Sequence, residues 1–166
     1  MKHSMFSFLS KFFGWSIDSS INEPVNESAD KVKILAQKLF ELGFYPQKPE
    51  AIRTGKPKEF IIGCNFSSYE QLSKISFLRD REELKSPSYW ESPNRPEPPE
   101  GLAENDLMIP QLIFGFNEQN HLEIKFEIYL DYGERMDTPF HEEISEDQLI
   151  SMLHELKEHQ ISLYEA

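Results

Sequence analysis

The most regular pattern in the chain is HLEIKFEIYLD, where Leu122, Ile124, Phe126, Ile128 and Leu130 alternate with Glu123, Lys125, Glu127, Tyr129 and Asp131. A period of two sustained over that length predicts a strand with one buried and one wet face. QLIFGFN, joined to it through the turn-like NEQN, predicts the other arm of an antiparallel hairpin. EFIIGCNF, residues 59–66, is a short apolar run rich in strand formers and reads as a buried strand.

Helical spacing occupies the remainder. Val32, Leu35, Ala36, Leu39 and Phe40 follow the i, i+3, i+4 rule, with Gly43 placed as a stop. Ser67 and Ser68 precede Glu70 and Gln71 by the spacing of a reciprocal helix cap, so a helix through Leu72, Ile75 and Leu78 is expected, running towards Leu84. At Ser145 a helix should begin sharply. Ser145 and Gln148 form a capping box, Ile144 and Leu149 sit at the positions of a hydrophobic staple, and Leu149, Met152, Leu153 and Leu156 make the core stripe. At the N-terminus, MFSFLSKFFGW places Phe6, Phe8, Leu9, Phe12, Phe13 and Trp15 in one broad arc at roughly 100° per residue, so residues 1–17 are expected to form an amphipathic helix.

Residues 18–29 read as a polar linker, and 30–166 as one α+β domain: a small, mostly antiparallel sheet with helices packed on one face. Residues 86–101 carry five prolines and read as a loop pinned by Tyr89 and Trp90. At 166 residues the chain can bury roughly two thirds of the surface its unfolded form exposes, enough to fold without staples.

Charge changes the picture more than composition does. The net charge is −12, yet residues 1–90 carry +2, residues 91–117 carry −4 and residues 118–166 carry −10. The acidic C-terminal part repels phosphate backbones and attracts basic partners, which argues against direct nucleic-acid binding. The single cysteine, Cys64, excludes an intramolecular disulfide and multi-cysteine metal sites, which fits a reducing cytoplasm. No run of 18 apolar residues predicts a membrane span, and no export signal is recognisable.

Candidate chemistry is sparse. In HELKEH, His154 and His159 stand five apart, roughly 140° around a helix, and cannot chelate one ion from one face. DYGERMDTPFHEE, residues 131–143, gathers Asp131, Glu134, Asp137, His141, Glu142 and Glu143 in what reads as a loop after the long strand. Such a loop could contact a basic partner, hold a hard cation as part of a metal-dependent enzyme, or simply be solvated. Cys64, among Ile62, Gly63 and Asn65, reads as a small hydrophobe rather than a nucleophile. The basic connector QKPEAIRTGKPK lacks interleaved aromatics and reads as a solvated loop. Nucleophile elbows, phosphate loops and dinucleotide fingerprints are missing, so no catalytic residue, cofactor or metal is assigned. For the N-terminal helix three roles stay open: core packing, docking or self-association through Phe8, Phe12 and Trp15, and membrane contact, for which Lys11 and Lys2 supply little positive charge.

In layout, with one domain, no catalytic motif and the acidic stretch LEIKFEIYLDYGERMDTPFHEEISEDQL, the chain resembles the small acidic immunity proteins with which bacteria block toxins delivered by neighbouring cells. That resemblance implies a basic toxin domain as partner, a one-to-one complex, no cofactor and no catalysis. On the charge pattern, the expected partner-binding residues are Glu123, Glu127, Asp131, Glu134, Asp137, Glu142 and Glu143. The competing readings are an adaptor of phage or plasmid type that self-associates through its N-terminal helix, and the metal-dependent enzyme.

Overall fold

Strands β2 (Met108–Phe116) and β3 (Leu122–Leu130) pair antiparallel from Met108 opposite Leu130 to Phe116 opposite Leu122, the register that the alternation demands. Their turn is closed by Asn117, whose side-chain oxygen accepts the backbone N–H of Gln119 at 3.0 Å and of His121 at 2.9 Å. The computed structural model describes residues 27–44, 50–86, 89–90, 108–130 and 133–165. The expected N-terminal helix with Phe8, Phe12 and Trp15, most of the 18–29 linker, most of the 86–101 loop and Asp131 lie outside the described residues.

The hairpin is the middle of a five-stranded sheet. β1 (Ile61–Asn65) joins β2, β4 (Arg135–Glu143) joins β3, and β5 (Tyr164–Glu165) joins β1, giving the order β4-β3-β2-β1-β5. Among the described residues every strand pairing is antiparallel, and the protein is an α+β fold.

One face of the sheet supplies the core. Ile62 and Cys64 on β1, Leu112 and Phe114 on β2, Ile124, Phe126 and Ile128 on β3, and Phe140 on β4 are all buried. The helices cover that face. In α1 (Glu27–Glu41), Val32, Leu35, Ala36 and Leu39 are buried; in α5 (Glu146–Glu158), Leu149, Leu153 and Leu156. Phe126 anchors the packing, stacked between Phe66 at 6.0 Å and Phe140 at 5.9 Å and tilted against Trp90 at 6.4 Å. Tyr89 and Trp90 pack on this core, and the Trp90 indole N–H donates to the Leu84 carbonyl at 2.7 Å.

Several elements differ from the expected ones. α1 starts at Glu27, inside the expected linker, and Phe40 is 36% exposed instead of joining the stripe. The basic connector contains α2 (Glu50–Thr54) and a 3-10 turn, Pro57–Glu59, because Ala51 and Ile52 are buried against α1. The single helix expected after Ser68 is broken into α3 (Tyr69–Leu72), α4 (Ser76–Arg79) and a 3-10 turn, Glu82–Leu84. The Ser73 hydroxyl donates to the Glu70 carbonyl and β-branched Ile75 takes an extended backbone, which interrupts the helical ladder. Packing compensates: Leu72, Ile75, Leu78 and Leu84 are all fully buried. At α5 the Ser145–Gln148 capping box forms in both directions.

The short strand β5 depends on a missing side chain. Gly63 lies under the Tyr164 ring, and a Cβ there would sit 2.6 Å from the Tyr164 Cζ. Gly63→Ala should therefore cost about 1–3 kcal/mol through overpacking, read as a lower urea midpoint. Tyr164→Ala in the same chain should recover most of that loss.

Candidate functional site

The acidic segment after β3 is a strand, not a loop. β4 runs through Arg135–Glu143 along one edge of the sheet, with register shifts against β3 around Ile128 and Pro139 within it. Proline, irregular pairing and charge are the devices by which edge strands resist unwanted pairing. A strand also alternates its side chains between faces, so the acidic residues do not converge as a cation-binding loop would require. Among the described residues, no three of His, Cys, Asp and Glu gather closely enough to hold a metal ion.

The face of β3 expected to be wet is only partly so. Glu123 is 4% exposed and Glu127 2%, on the side of the sheet opposite the core. Three basic side chains and one hydroxyl surround them. Lys125 Nζ stands 3.4 Å from Glu123 and 4.0 Å from Glu127, His141 Nε2 lies 2.6 Å from Glu123, Arg135 donates to Glu127 at 3.3 Å, and the Tyr129 hydroxyl donates to Glu127 at 2.8 Å. Burial, and then the Glu127 carboxylate, push the Tyr129 phenol above its ordinary pKa. Glu123 and Glu127 are therefore buried, with their charge met inside the sheet by Lys125, Arg135 and His141.

The remaining expected contacts divide by exposure. Glu134 is exposed in the turn before β4. Asp137 is exposed and accepts from the Tyr89 hydroxyl and, at 2.8 Å, from the Thr138 N–H. Glu143 is exposed beside His121, 2.9 Å away, with the Asn117 amide at 3.3 Å. Glu142 is drawn inward to Arg81, whose guanidinium lies 4.0 Å from the Phe140 ring centre. The outward carboxylates of the β4 segment are therefore Glu134, Asp137 and Glu143.

Lys125, Arg135, His141, Tyr129 and Arg81 were missed as organisers of this region. For Lys125 a signal existed, since it stands two residues from each glutamate on the same face of a strand. The same signal existed for Tyr129, two residues from Glu127 on that face, whereas Arg135, His141 and Arg81 meet their glutamates only through contacts that spacing along the chain does not show.

Cys64 is buried, and desolvation pushes its thiol up to about 12, the behaviour of a small hydrophobe. His154 meets the Phe44 ring edge-on at 4.9 Å, so the HELKEH segment packs at the end of α1. No helix among the described residues is long and apolar enough to cross a membrane. In comparisons of sequence and fold, no protein-family model, no curated protein and no solved structure matches the chain.

Lys125→Met leaves two buried carboxylates short of a partner and should cost about 2 kcal/mol, less than a fully enclosed pair because the lysine is partly solvated, read by urea denaturation. For Glu143, the His121 contact holds the carboxyl below its ordinary pKa. Its stabilising contribution is thus complete above the unfolded carboxylate pKa and is lost as pH falls through the lower folded value. His121→Ala should return the Glu143 midpoint towards the ordinary range in an NMR titration.

Proposed function

We propose that this protein is a non-catalytic binding protein that neutralises a basic protein partner through its acidic edge strand. The observation that carries this reading is the row of outward carboxylates, Glu134, Asp137 and Glu143, along the edge strand of the sheet. Behind that row, Glu123 and Glu127 are tied to β4 through Arg135 and His141, so the carboxylates are displayed on a braced strand. Fixed negative charge on a rigid element speeds encounter with a cationic surface and loses little entropy on docking.

The resemblance to acidic immunity proteins gives the partner a class: a basic toxin domain, bound one-to-one, in a bacterial cytoplasm and without a cofactor. An inhibitor of this kind acts by covering a cationic site, so its own residues bind and screen and perform no chemistry.

The test is association kinetics with the partner recovered by affinity capture from the host. The association rate should fall by about tenfold or more between low and physiological salt. Glu134→Lys, Asp137→Lys and Glu143→Lys together should abolish capture while circular dichroism shows the chain still folded, with a melting temperature lowered only modestly by loss of the Tyr89, Thr138 and His121 contacts. A complex whose formation ignores both salt and the triple reversal overturns the reading.

A further inference from the structure

We infer that the pocket between the end of β1, the start of α3 and the turn after α5 binds a small neutral carbohydrate. The pocket has a volume of about 350 Å³, at the lower end of the range of roughly 300–1,000 Å³ typical of ligand sites. Buried Phe66 lines it together with Asn65, Gln71, Gln160, Ser162 and Tyr164. Among the described residues that line it none is charged, in a chain where 28% of residues are. A charged ligand would find no counter-charge among those side chains.

The hydrogen-bonding groups are mixed, as sugar hydroxyls require. The Tyr164 hydroxyl donates to Asn65 Oδ1 at 3.1 Å, leaving the Asn65 amide N–H groups to donate and the phenol oxygen to accept. Gln71 Oε1 accepts the Ser67 N–H at 2.9 Å and the Ser67 hydroxyl at 3.1 Å, which leaves its NH₂ group as a donor. Burial, as the first cause, pushes the Tyr164 phenol up to about 12, so it is neutral at physiological pH. The half-buried Tyr164 ring adds an apolar wall of the kind that packs on the C–H face of a sugar.

A second observation points to the same place. α1 and α5 end in the same motif. After α1, the Gly43 N–H donates to Phe40 and the Phe44 N–H to Leu39; after α5, the Gln160 N–H donates to Lys157 and the Ile161 N–H to Leu156. This motif needs a left-handed residue, normally glycine. Gly43 meets the need at φ 78°, whereas Gln160 is held at φ 58°, a conformation that disfavours a side chain. Strain of that kind persists where a side chain is wanted, and the Gln160 side chain forms part of the pocket wall.

The proposal is independent of the acidic edge. The isotope-labelled full chain is titrated with glucose, galactose, mannose, N-acetylglucosamine, maltose and cellobiose into the millimolar range and followed by amide NMR. Saturable shifts confined to residues 65–71 and 160–164 with at least one sugar are expected. Gln160→Gly should raise the melting temperature by about 2 °C yet weaken that sugar about fivefold, a pair of effects that a purely structural residue would not produce. Ser162→Ala should weaken it without changing stability, and glucose phosphate should bind less well than glucose. No saturable shift with any sugar, shifts centred elsewhere, unchanged affinity in both variants, or preferred binding of the phosphate would each overturn the proposal.

Discussion

Strand β3 is paired along its length on both sides, and everything placed on it must be reconciled with that position. A period of two sends Phe126 and its neighbours into the core and commits Glu123, Lys125, Glu127 and Tyr129 to the opposite face. In the middle of a sheet that face is crowded by flanking strands, so two carboxylates are withdrawn from water. They are tolerated because Lys125 stands between them and because β4 brings His141 to one and Arg135 to the other. Desolvation of unmatched carboxylates would cost several kcal/mol each, so β4 is needed electrostatically as well as for backbone pairing.

The core side of the same strand does complementary work. Phe126 gathers the exit of β1 through Phe66, the edge strand through Phe140, and the segment after the broken helices through Trp90. Aromatic pairs of this kind add roughly 0.5–1.5 kcal/mol each beyond burial. Arg81 reinforces the core side of that arrangement, lying over Phe140 while pairing with Glu142. The edge strand is thus held from both faces of the sheet. Its outer carboxylates gain a fixed geometry that a solvated loop would not give them, and this rigidity underlies the proposed binding role.

The helix ends show a different economy. One chain uses one terminating motif twice, with glycine after α1 and glutamine after α5. Local propensity favours glycine at both. The departure at Gln160 coincides with a pocket whose described lining is neutral and polar, on an otherwise strongly charged protein. The acidic edge and this pocket occupy opposite ends of the sheet order, one on β4 and the other at β1 and β5.

Local periodicity and capping chemistry made much of this architecture legible in the sequence. The β2–β3 hairpin, the strand around Cys64, the buried stripe of α1 and the capped start of α5 follow from spacing alone, because each is set by residues within about one or two turns of one another. The charge map was legible too, since net charge by segment needs no coordinates. Tertiary contacts decided what spacing could not: that residues after Tyr129 return as a strand, that Phe40 faces water, and that the segment after Ser68 trades helix continuity for four buried side chains. They also decided the fate of the glutamates. Alternation places Glu123 and Glu127 on one face, but only the strands on either side determine whether that face is wet. Burial is a property of neighbours distant in the chain, and His141 and Arg135 reach the two carboxylates only because β4 folds back beside β3.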